Sequence, residues 1–484
     1  MNNGEVQPHL LVVFGATGDL THRKLLPALF NLDKDKRRPP PGPILCVARS
    51  PHGDEEFRKG AVESLVAAGI DEPAAAKWAG EHLWYHSLGE SSAAAYEHLA
   101  GRIGALEALH DLPGNRVLYL ALPLPAFAPT VRALGEAGLN HSHGWTRLVI
   151  EKPFGNDLES AKELNALIHS FFPEEEVYRL DHYLGKETVQ NLLVFRFGNA
   201  LFEPLWNRDR VEKVEITVAE EIGIEGRGSF YEKAGAMRDF IQNHITQLLC
   251  LVAMEPPAAL VSEMIANEKI KVLHSIQPLT SEDAVFGQYT SATVDGKARI
   301  GYREEEGVAK DSRTETYAAL RLAVNNWRWQ GVPFYIRTGK ALPRKVSRIV
   351  ISFRCPPVSV FNPYDACMLH SNRLEITLQP NEGFNLTFEV KRPGPGMNIE
   401  TEQMRFRYGE VFGRLPDAYE TLLLDTIRGD RTLFVRSDEI EASWALYDEL
   451  LKSPPPLKFY PAGSWGPPDA NNLFDHHRDG WTNL

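Results

Sequence analysis

LLVVFGATGDL, residues 10–20, joins a run of five apolar residues to a turn that contains two glycines. The apolar run has the length of a buried strand, and a helical pattern follows the turn. Glycine lets the backbone turn sharply and approach a pyrophosphate at the start of a helix. Such turns also close ordinary strand–helix corners, so the motif alone leaves both interpretations open. The candidate phosphate-binding residues are Gly15, Ala16, Thr17, Gly18, Asp19 and Leu20.

Around this turn, short apolar runs alternate with amphipathic stretches as far as residue 180. We predict strands at 10–14, 44–48, 83–86, 116–121, 147–150 and 177–180. The helical patterns between them cover 19–32, 55–68, 91–108, 126–137 and 157–170. This succession is typical of an α/β fold in which helices cover both faces of a parallel sheet. Residues 1–180 are therefore predicted to form a Rossmann-like, doubly wound domain that binds a dinucleotide.

The pattern changes after residue 181 to longer alternating strands that are interrupted by helices. The predicted strands are 211–219, 316–324, 348–354, 373–378 and 384–390. Alternation of apolar and polar residues is typical of antiparallel sheets with one buried face. Residues 181–484 are predicted to form a second, larger α+β domain with a mostly antiparallel sheet.

Composition limits the classes of partner. The chain has 484 residues, and its 52 basic and 64 acidic side chains give a net charge of −12. A surface of that sign repels a phosphodiester backbone and an anionic membrane, so we expect neither nucleic acid nor membrane as a partner. An anionic ligand would require lysines and arginines that are concentrated locally.

The sequence also limits compartment and metal chemistry. No stretch approaches the ~18 apolar residues of a membrane span, and the N-terminus lacks the regions of a secretory signal, which predicts a cytoplasmic protein. The cysteines at 46, 250, 355 and 367 form no close pair. This argues against a zinc knuckle or a redox dithiol, and we expect reduced, mostly buried thiols.

Two basic residues directly follow predicted strands. Arg49 comes after strand 44–48, where an NAD site would carry an acidic residue. A guanidinium group there would bind the 2′-phosphate of NADP, although a surface arginine in a loop is the alternative. Lys152 follows strand 147–150 within Glu-Lys-Pro, at the sheet edge where cofactor and substrate would meet. A lone lysine before proline is more commonly a solvated charge.

Four groups that can carry chemistry follow the strand at 177–180. Asp181, His182, Tyr183 and Lys186 place a carboxylate, an imidazole, a phenol and an ammonium group within seven consecutive residues. A solvated surface explains such a cluster less well than a binding site does.

His244 lies on the buried stripe of a predicted helix. Its apolar neighbours on that stripe are Ile241, Ile245, Leu248 and Val252. A histidine at such a position is more often a core residue, but a buried histidine with a carboxylate partner is also what a general base requires. Spacing does not choose between the two interpretations.

Six motifs, in this order, resemble those of the glucose-6-phosphate dehydrogenase family. They are GATGDL at 15–20, EKPFG at 151–155, RLDHYLGKE at 179–187, QNH at 242–244, RTGKAL at 337–342 and YPAGSWG at 460–466. The resemblance covers nearly the whole chain. It implies oxidation of glucose 6-phosphate to 6-phosphoglucono-1,5-lactone, the first step of the oxidative pentose phosphate pathway. NADP is the implied cofactor, with NAD as a weaker alternative, and no metal is implied.

The resemblance also implies roles for individual residues. His244 corresponds to the general base and Asp181 to the carboxylate that orients it. Arg49 corresponds to the residue that binds the 2′-phosphate, and Lys152 to a lysine shared by cofactor and substrate. The implied substrate-phosphate contacts are His182, Tyr183, Lys186 and Lys345. The implied sugar contacts are Glu220, Asp239 and Lys340, with Gln379 as a further substrate contact. A homodimer or homotetramer through the large sheet is implied as well.

Two other functions compete with this interpretation. A sugar-oxidising dehydrogenase of the glucose–fructose oxidoreductase type also has two domains and a Glu-Lys-Pro motif, but we do not expect it to carry the Asp-His-Tyr and Gln-Asn-His motifs together. A catalytically inactive dinucleotide sensor should keep the glycine turn and lose the base, whereas Asp181, Lys186 and His244 are all present. The length disfavours a fusion with a lactone hydrolase.

Overall fold

The computed structural model describes residues 6–38, 42–358, 360–361, 372–475 and 480–483. The chain forms two compact units. The first comprises Met1–Gly185, Pro257–Ala266 and Pro416–Glu441, and the second comprises Lys186–Pro256, Asn267–Leu415 and Ala442–Leu484. Two segments that the sequence-based division at residue 180 assigns to the second domain, 257–266 and 416–441, thus join the first unit.

The first unit is built on a seven-stranded sheet. Its first six strands are β1 (Leu10–Phe14), β2 (Ile44–Ala48), β3 (Leu83–Ser87), β4 (Arg116–Leu120), β5 (Thr146–Ile150) and β6 (Val177–Leu180). They are parallel in the order β6-β5-β4-β1-β2-β3, and a short antiparallel strand at Phe434–Val435 pairs with β6. Every residue of β1 and β2 is buried, as a sheet that is covered on both faces requires. The predicted doubly wound parallel sheet is confirmed.

Helices connect these strands. They are α1 (Leu26–Lys34), α2 (Asp54–Ala67), α3 (Glu72–His82), α4 (Ala93–Leu109), α5 (Phe127–Glu136) and α6 (Leu158–His169). A π-helical turn at Thr21–Leu25 precedes α1, so the helix predicted at 19–32 is not regular throughout. Ser92 and Asp157 begin α4 and α6 by accepting a hydrogen bond from the amide three residues later. The five predicted helices are present, and α3 is an additional one.

The second unit is built on a nine-stranded sheet. Its helices and strands from 187 to 412 are α7 (Glu187–Phe197), β7 (Val211–Ala219), α8 (Gly228–Ala236), α9 (Thr246–Ala253), α10 (Ser262–Ser275), β8 (Ala284–Thr290), β9 (Ala292–Val294), β10 (Lys297–Arg299), β11 (Tyr317–Ala323), β12 (Pro333–Gly339), β13 (Val346–Phe353), β14 (Arg373–Gln379), β15 (Gly383–Lys391), β16 (Ile399–Arg407) and α11 (Tyr408–Phe412). Residues 262–266 of α10 belong to the first unit.

The order of the large sheet is β16-β15-β14-β13-β7-β12-β11-β8, followed by the strand Lys458–Pro461, and β9 pairs with β10 in a small separate hairpin. Two of its pairings, β7 with β12 and β8 with Lys458–Pro461, are parallel, and the others are antiparallel. The prediction of a mostly antiparallel sheet is confirmed. The unpredicted strands include β8, β12 and β16.

Two more α-helices lie in the C-terminal part of the described chain, α12 (Ala418–Arg428) and α13 (Ser437–Lys452), and a 3-10 helix follows at Pro468–Leu473. α12 belongs to the first unit and packs on α1. Asp417 begins α12 by accepting a hydrogen bond from an amide of its first turn, and Gly429 ends it in the left-handed conformation.

Three of the four cysteines lie within the described residues. Cys46 and Cys250 are buried and Cys355 is partly buried, whereas Cys367 lies outside the described residues. Burial raises the pKa of the Cys46 thiol. Within the described ranges, no helix is long and apolar enough to cross a membrane.

Candidate active site

The glycine turn after β1 is held against two neighbouring strands. The amides of Gly15 and Ala16 both donate to the carbonyl of Val47, at 2.9 and 3.1 Å. Gly15 has a φ of +84°, and a Cβ there would lie 2.1 Å from the carbonyl oxygen of Ala121. Only glycine fits this position. Because the Gly15 and Ala16 amides are already bonded, the turn offers a phosphate the amides that follow, at the helix start.

That helix start comprises the remaining residues predicted to bind phosphate. Gly18 donates its amide to the Gly15 carbonyl at 2.9 Å, and the Thr21 hydroxyl donates to the same carbonyl at 3.1 Å. The Gly15 carbonyl is thus occupied by two donors of the turn itself. The first N–H groups of a helix attract anions, so Thr17, Asp19 and Leu20 are placed to bind a pyrophosphate. The turn therefore fits a dinucleotide.

The other predicted residues of the first unit follow strands of the same parallel sheet. Arg49 follows β2 and is exposed, and Lys152 comes two residues after β5 ends and is partly buried. Asp181 follows β6 and is 3% exposed. Because parallel strands end at a common edge, these side chains share that edge with the glycine turn, where doubly wound sheets bind their ligands.

Glu151, beside Lys152, is a buried carboxyl with two tyrosine partners. The Tyr119 hydroxyl donates to its Oε1 at 2.6 Å, and the Tyr419 hydroxyl of α12 is a second donor. Burial raises the pKa of Glu151 to about 7, although both hydrogen bonds and the charge of Lys152 act in the opposite direction. The sequence analysis gave Glu151 no role, and the Glu-Lys-Pro motif itself was the only available signal.

The segment after β6 is closely packed. One carboxylate oxygen of Asp181 accepts the amide of Tyr183 at 2.9 Å. The partly buried His182 ring meets Tyr183 edge to face at 5.0 Å between centroids. On another side it is nearly parallel to Tyr419, at 6.3 Å and 9°. The imidazole is therefore confined by two aromatic rings.

In the second unit, a lysine lies between two carboxylates. Lys340 follows β12, is 3% exposed, and forms ion pairs with Glu220 and Asp239, the latter at 3.8 Å. Its ammonium nitrogen also lies 5.3 Å from the ring centroid of Tyr231 and 5.5 Å from that of Phe240. β7 and β12 are parallel neighbours, which explains why the residues that follow them meet. Two acceptors beside an ammonium group suit several adjacent hydroxyls.

His244 is fully buried in the second unit. It lies in a π-helical segment, Met237–Ile245, that continues into α9, and its ring meets Phe240 edge to face at 5.7 Å. The predicted apolar stripe around it, including Ile241 and Ile245, is confirmed as buried.

A buried carboxylate fixes the start of this helix. Glu315 accepts the amide of Met237 at 3.0 Å, and burial raises the pKa of Glu315. Gly235 has a φ of +60°, and a Cβ there would lie 2.3 Å from this carboxylate. Glu315 thus orients the segment that carries Asp239 and His244, a contact that the sequence analysis missed because Glu315 is distant in the chain.

The last group of predicted residues lies near α7. Lys186, which precedes α7, donates to the amide oxygen of Gln379 at 2.7 Å, and the Gln379 amide donates to Ser347 at 2.9 Å. The structure therefore brings Lys186 and Gln379 together. Lys345, which precedes β13, is exposed. Asp181 belongs to the first unit and His244 to the second, so their pairing stays a prediction.

Comparison with protein families gives two matches that together span the chain. A model described as the NAD binding domain of glucose-6-phosphate dehydrogenase matches residues 12–191. A model described as the C-terminal domain of the same enzyme matches residues 193–482.

Two relatives that match the chain over nearly its full length are both named glucose-6-phosphate 1-dehydrogenase. The chain is 45% identical to glucose-6-phosphate 1-dehydrogenase of Aggregatibacter actinomycetemcomitans over 96% of this chain and 95% of that protein. It is 41% identical to the enzyme of Mycolicibacterium smegmatis over 98% and 97%.

Solved structures agree. A glucose-6-phosphate dehydrogenase in complex with its substrate glucose 6-phosphate is similar over 100% of both chains, with a TM-score of 0.91 and 35% identity. A glucose-6-phosphate 1-dehydrogenase from Mycobacterium avium is similar over 99% of both, with a TM-score of 0.87 and 36% identity.

Proposed function

The chain belongs to the glucose-6-phosphate dehydrogenase family of oxidoreductases, and on that premise we propose that it oxidises glucose 6-phosphate to 6-phosphoglucono-1,5-lactone with NADP as acceptor. The reaction is the first step of the oxidative pentose phosphate pathway. The observation that carries this proposal is the match of both family domains, together with 45% identity over 96% of the chain.

The cofactor half of the proposal rests on the first unit. The bound nicotinamide would accept the hydride. Thr17, Asp19 and Leu20 would bind the pyrophosphate with helix-start amides, and Arg49 would bind the 2′-phosphate that distinguishes NADP from NAD. A charge-assisted hydrogen bond contributes about 1.5–3 kcal/mol. NAD would therefore remain a weaker alternative, by one to two orders of magnitude on that scale.

The substrate half rests mainly on the second unit. Glu220, Asp239 and Lys340 would bind sugar hydroxyls, as their two acceptors and one donor group suggest. Lys186 and Lys345, with His182 and Tyr183 of the first unit, would bind the phosphate, which carries about two negative charges near neutral pH. Gln379 supports Lys186 directly, and Lys152 would contact both cofactor and substrate.

We assign the proton transfer to His244. Its imidazole would take the proton of the anomeric hydroxyl while the anomeric hydrogen leaves as hydride, so that the C1–O bond becomes a carbonyl. Asp181 would hold the imidazole in the required tautomer and stabilise the imidazolium. Fixation of the helix start by Glu315 favours this role, because a base must be held within hydrogen-bond reach of the proton it removes.

Location and assembly complete the proposal. We propose that the enzyme acts in the cytoplasm and forms a homodimer or homotetramer through its nine-stranded sheet. Size-exclusion chromatography with light scattering would test the assembly, and a monomer at micromolar concentration would contradict it.

An absorbance assay at 340 nm tests the function. The purified protein is given glucose 6-phosphate or glucose, each with NADP and with NAD. We expect fast reduction of NADP that requires the phosphate. His244→Asn should lower kcat by at least ~100-fold with KM for glucose 6-phosphate largely unchanged. His274→Asn, at an exposed position of α10, is the matched control and should behave like the wild type.

Two outcomes would contradict parts of the proposal. If the folded protein binds NADP but neither glucose 6-phosphate nor glucose leads to its reduction, the protein is a dinucleotide sensor and not an enzyme. If His244→Asn keeps near-normal kcat, the base is another group and His244 is a core histidine.

A further inference from the structure

Helix α12 reaches the candidate site from far along the chain. Its residue Ala418 packs against the segment after β6, because a Cβ on Gly185 would lie 2.7 Å from the Ala418 carbonyl oxygen. The preceding residue, Asp417, accepts the Tyr419 amide at 3.0 Å and the Lys24 ammonium at 2.9 Å. α12 therefore supports the Asp-His-Tyr segment from within the first unit.

The helix is also tied to α1 by a fully buried carboxylate. Glu420, next to Tyr419, accepts the side-chain amide of Asn31 at 3.2 Å and is paired with Arg37. These bonds fix the rotation of α12 about its axis. A side chain on its first turn is thus held in one place relative to the sheet.

Tyr419 occupies that first turn and links two groups of the site. Its hydroxyl donates to the buried carboxyl of Glu151, beside Lys152. Its ring lies nearly parallel to His182, at 6.3 Å and 9°. Offset stacking at such a distance is a favourable arrangement for two rings. Holding the hydroxyl fixes the axis of the Tyr419 ring, so the ring stays beside the imidazole and restricts it.

We propose that Tyr419 is a positioning residue, held by Glu151, that keeps the His182 imidazole oriented toward the substrate phosphate. The inference rests on the proposed function, which assigns His182 to the phosphate. A partly buried imidazole with freedom to rotate would lose part of its contribution when it is ordered by the ligand. Because Tyr419 already restricts the imidazole in the folded protein, less free energy is spent on ordering it when the ligand binds.

This role differs from simple core packing in what it affects. A packing residue would change stability, or would change the kinetics toward every substrate alike. A residue that acts through His182 should change the affinity for the phosphate group alone. The affinity for inorganic phosphate, measured as competitive inhibition against glucose 6-phosphate, isolates that group from the sugar.

The test uses variants of the full-length enzyme. Tyr419→Leu removes the ring, and Tyr419→Phe keeps the ring but removes the bond to Glu151. Tyr119→Phe is the matched control, because it removes the other hydroxyl from the same carboxyl group. We expect Tyr419→Leu to raise KM for glucose 6-phosphate and Ki for inorganic phosphate by about 10-fold, the scale of one charge-assisted hydrogen bond. kcat should change by less than about threefold.

The phenylalanine variants and a double variant test the same link between Tyr419 and His182. Tyr419→Phe should raise Ki for phosphate by about threefold, and Tyr119→Phe should leave it unchanged. In a His182→Gln background, Tyr419→Leu should have no further effect on Ki. Unchanged Ki in a folded Tyr419→Leu enzyme would overturn the proposal, as would equal effects in both backgrounds. If Tyr419→Leu does not fold, unchanged Ki in Tyr419→Phe overturns it. Absence of activity in the wild type would instead refute the proposed function.

Discussion

Replacing Glu151 by glutamine should make the protein relatively more stable as the pH rises. The carboxyl group is buried, and burial raises its pKa from an ordinary 4.5 to about 7. Because the folded state holds the proton more tightly than the unfolded state, its contribution to stability is present below pH 4.5 and is lost as the pH rises through 7. Glutamine has nearly the same shape and carries no titratable proton.

The magnitude follows from the two pKa values. Between pH 5 and pH 8 the wild type should lose about 2.5 kcal/mol of unfolding free energy relative to Glu151→Gln, at 1.36 kcal/mol per pKa unit. For a unit of 150–250 residues, this free energy corresponds to roughly 5–10 °C in melting temperature. The melting temperature of the wild type should therefore fall by that amount relative to Glu151→Gln between pH 5 and pH 8. At pH 5 the two proteins should differ little, because a protonated carboxyl group and an amide make similar hydrogen bonds.

Differential scanning fluorimetry at half-unit pH steps measures this difference. Glu55→Gln is the control, because the Glu55 side chain is 92% exposed, and its difference from the wild type should stay flat. A difference between the wild type and Glu151→Gln that is constant from pH 5 to pH 8 would refute the reasoning. It would mean that Glu151 titrates alike in the folded and unfolded states.

Three further variants test the site. Arg49→Ala should raise KM for NADP by about 10- to 100-fold and KM for NAD by less than about threefold, because it removes the 2′-phosphate contact; equal losses in the 340 nm assay would contradict that contact. Lys340→Met should destabilise the protein by about 3 kcal/mol, because it leaves the Glu220 carboxylate without its cation; a urea midpoint like that of the wild type would contradict this. Gly15→Ala should abolish NADP binding by calorimetry, because the added Cβ would collide with the Ala121 carbonyl; retained affinity would disprove the close approach.

The strands of the first unit could be predicted because their signal is local. The bounds of β1 and β2 agree with the prediction to the residue, since each apolar run ends where a glycine or an arginine begins the next connection. The sequence gives less information where an element has no apolar face. No residue of β16 is buried, and only Ile399, Met404 and Phe406 among its nine residues are apolar, so the period-2 signal is weak.

The residues of the candidate site were predicted from strand ends and motifs, whereas their supports were not. Glu151 lies inside a quoted motif, but its partner Tyr119 is 32 residues away on another strand, and Tyr419 lies on a helix that the sequence analysis did not predict. Hydrogen bonds between distant segments leave no spacing rule in a single sequence. The same reason hid Glu315, which fixes the helix that carries His244.

The sequence gives the net charge of the chain, whereas the structure shows which groups surround each lysine. A net charge of −12 required cations to be concentrated wherever an anionic ligand binds, but it did not indicate which cation would face which part of the ligand. Lys340 lies between the carboxylates of Glu220 and Asp239, so it attracts a dianion weakly, and its neighbours accept hydrogen bonds from hydroxyls. Lys186 donates to the neutral amide oxygen of Gln379 and interacts electrostatically with the Glu382 carboxyl, whose pKa is raised by burial. The two lysines therefore suit opposite ends of a sugar phosphate because of their different partners.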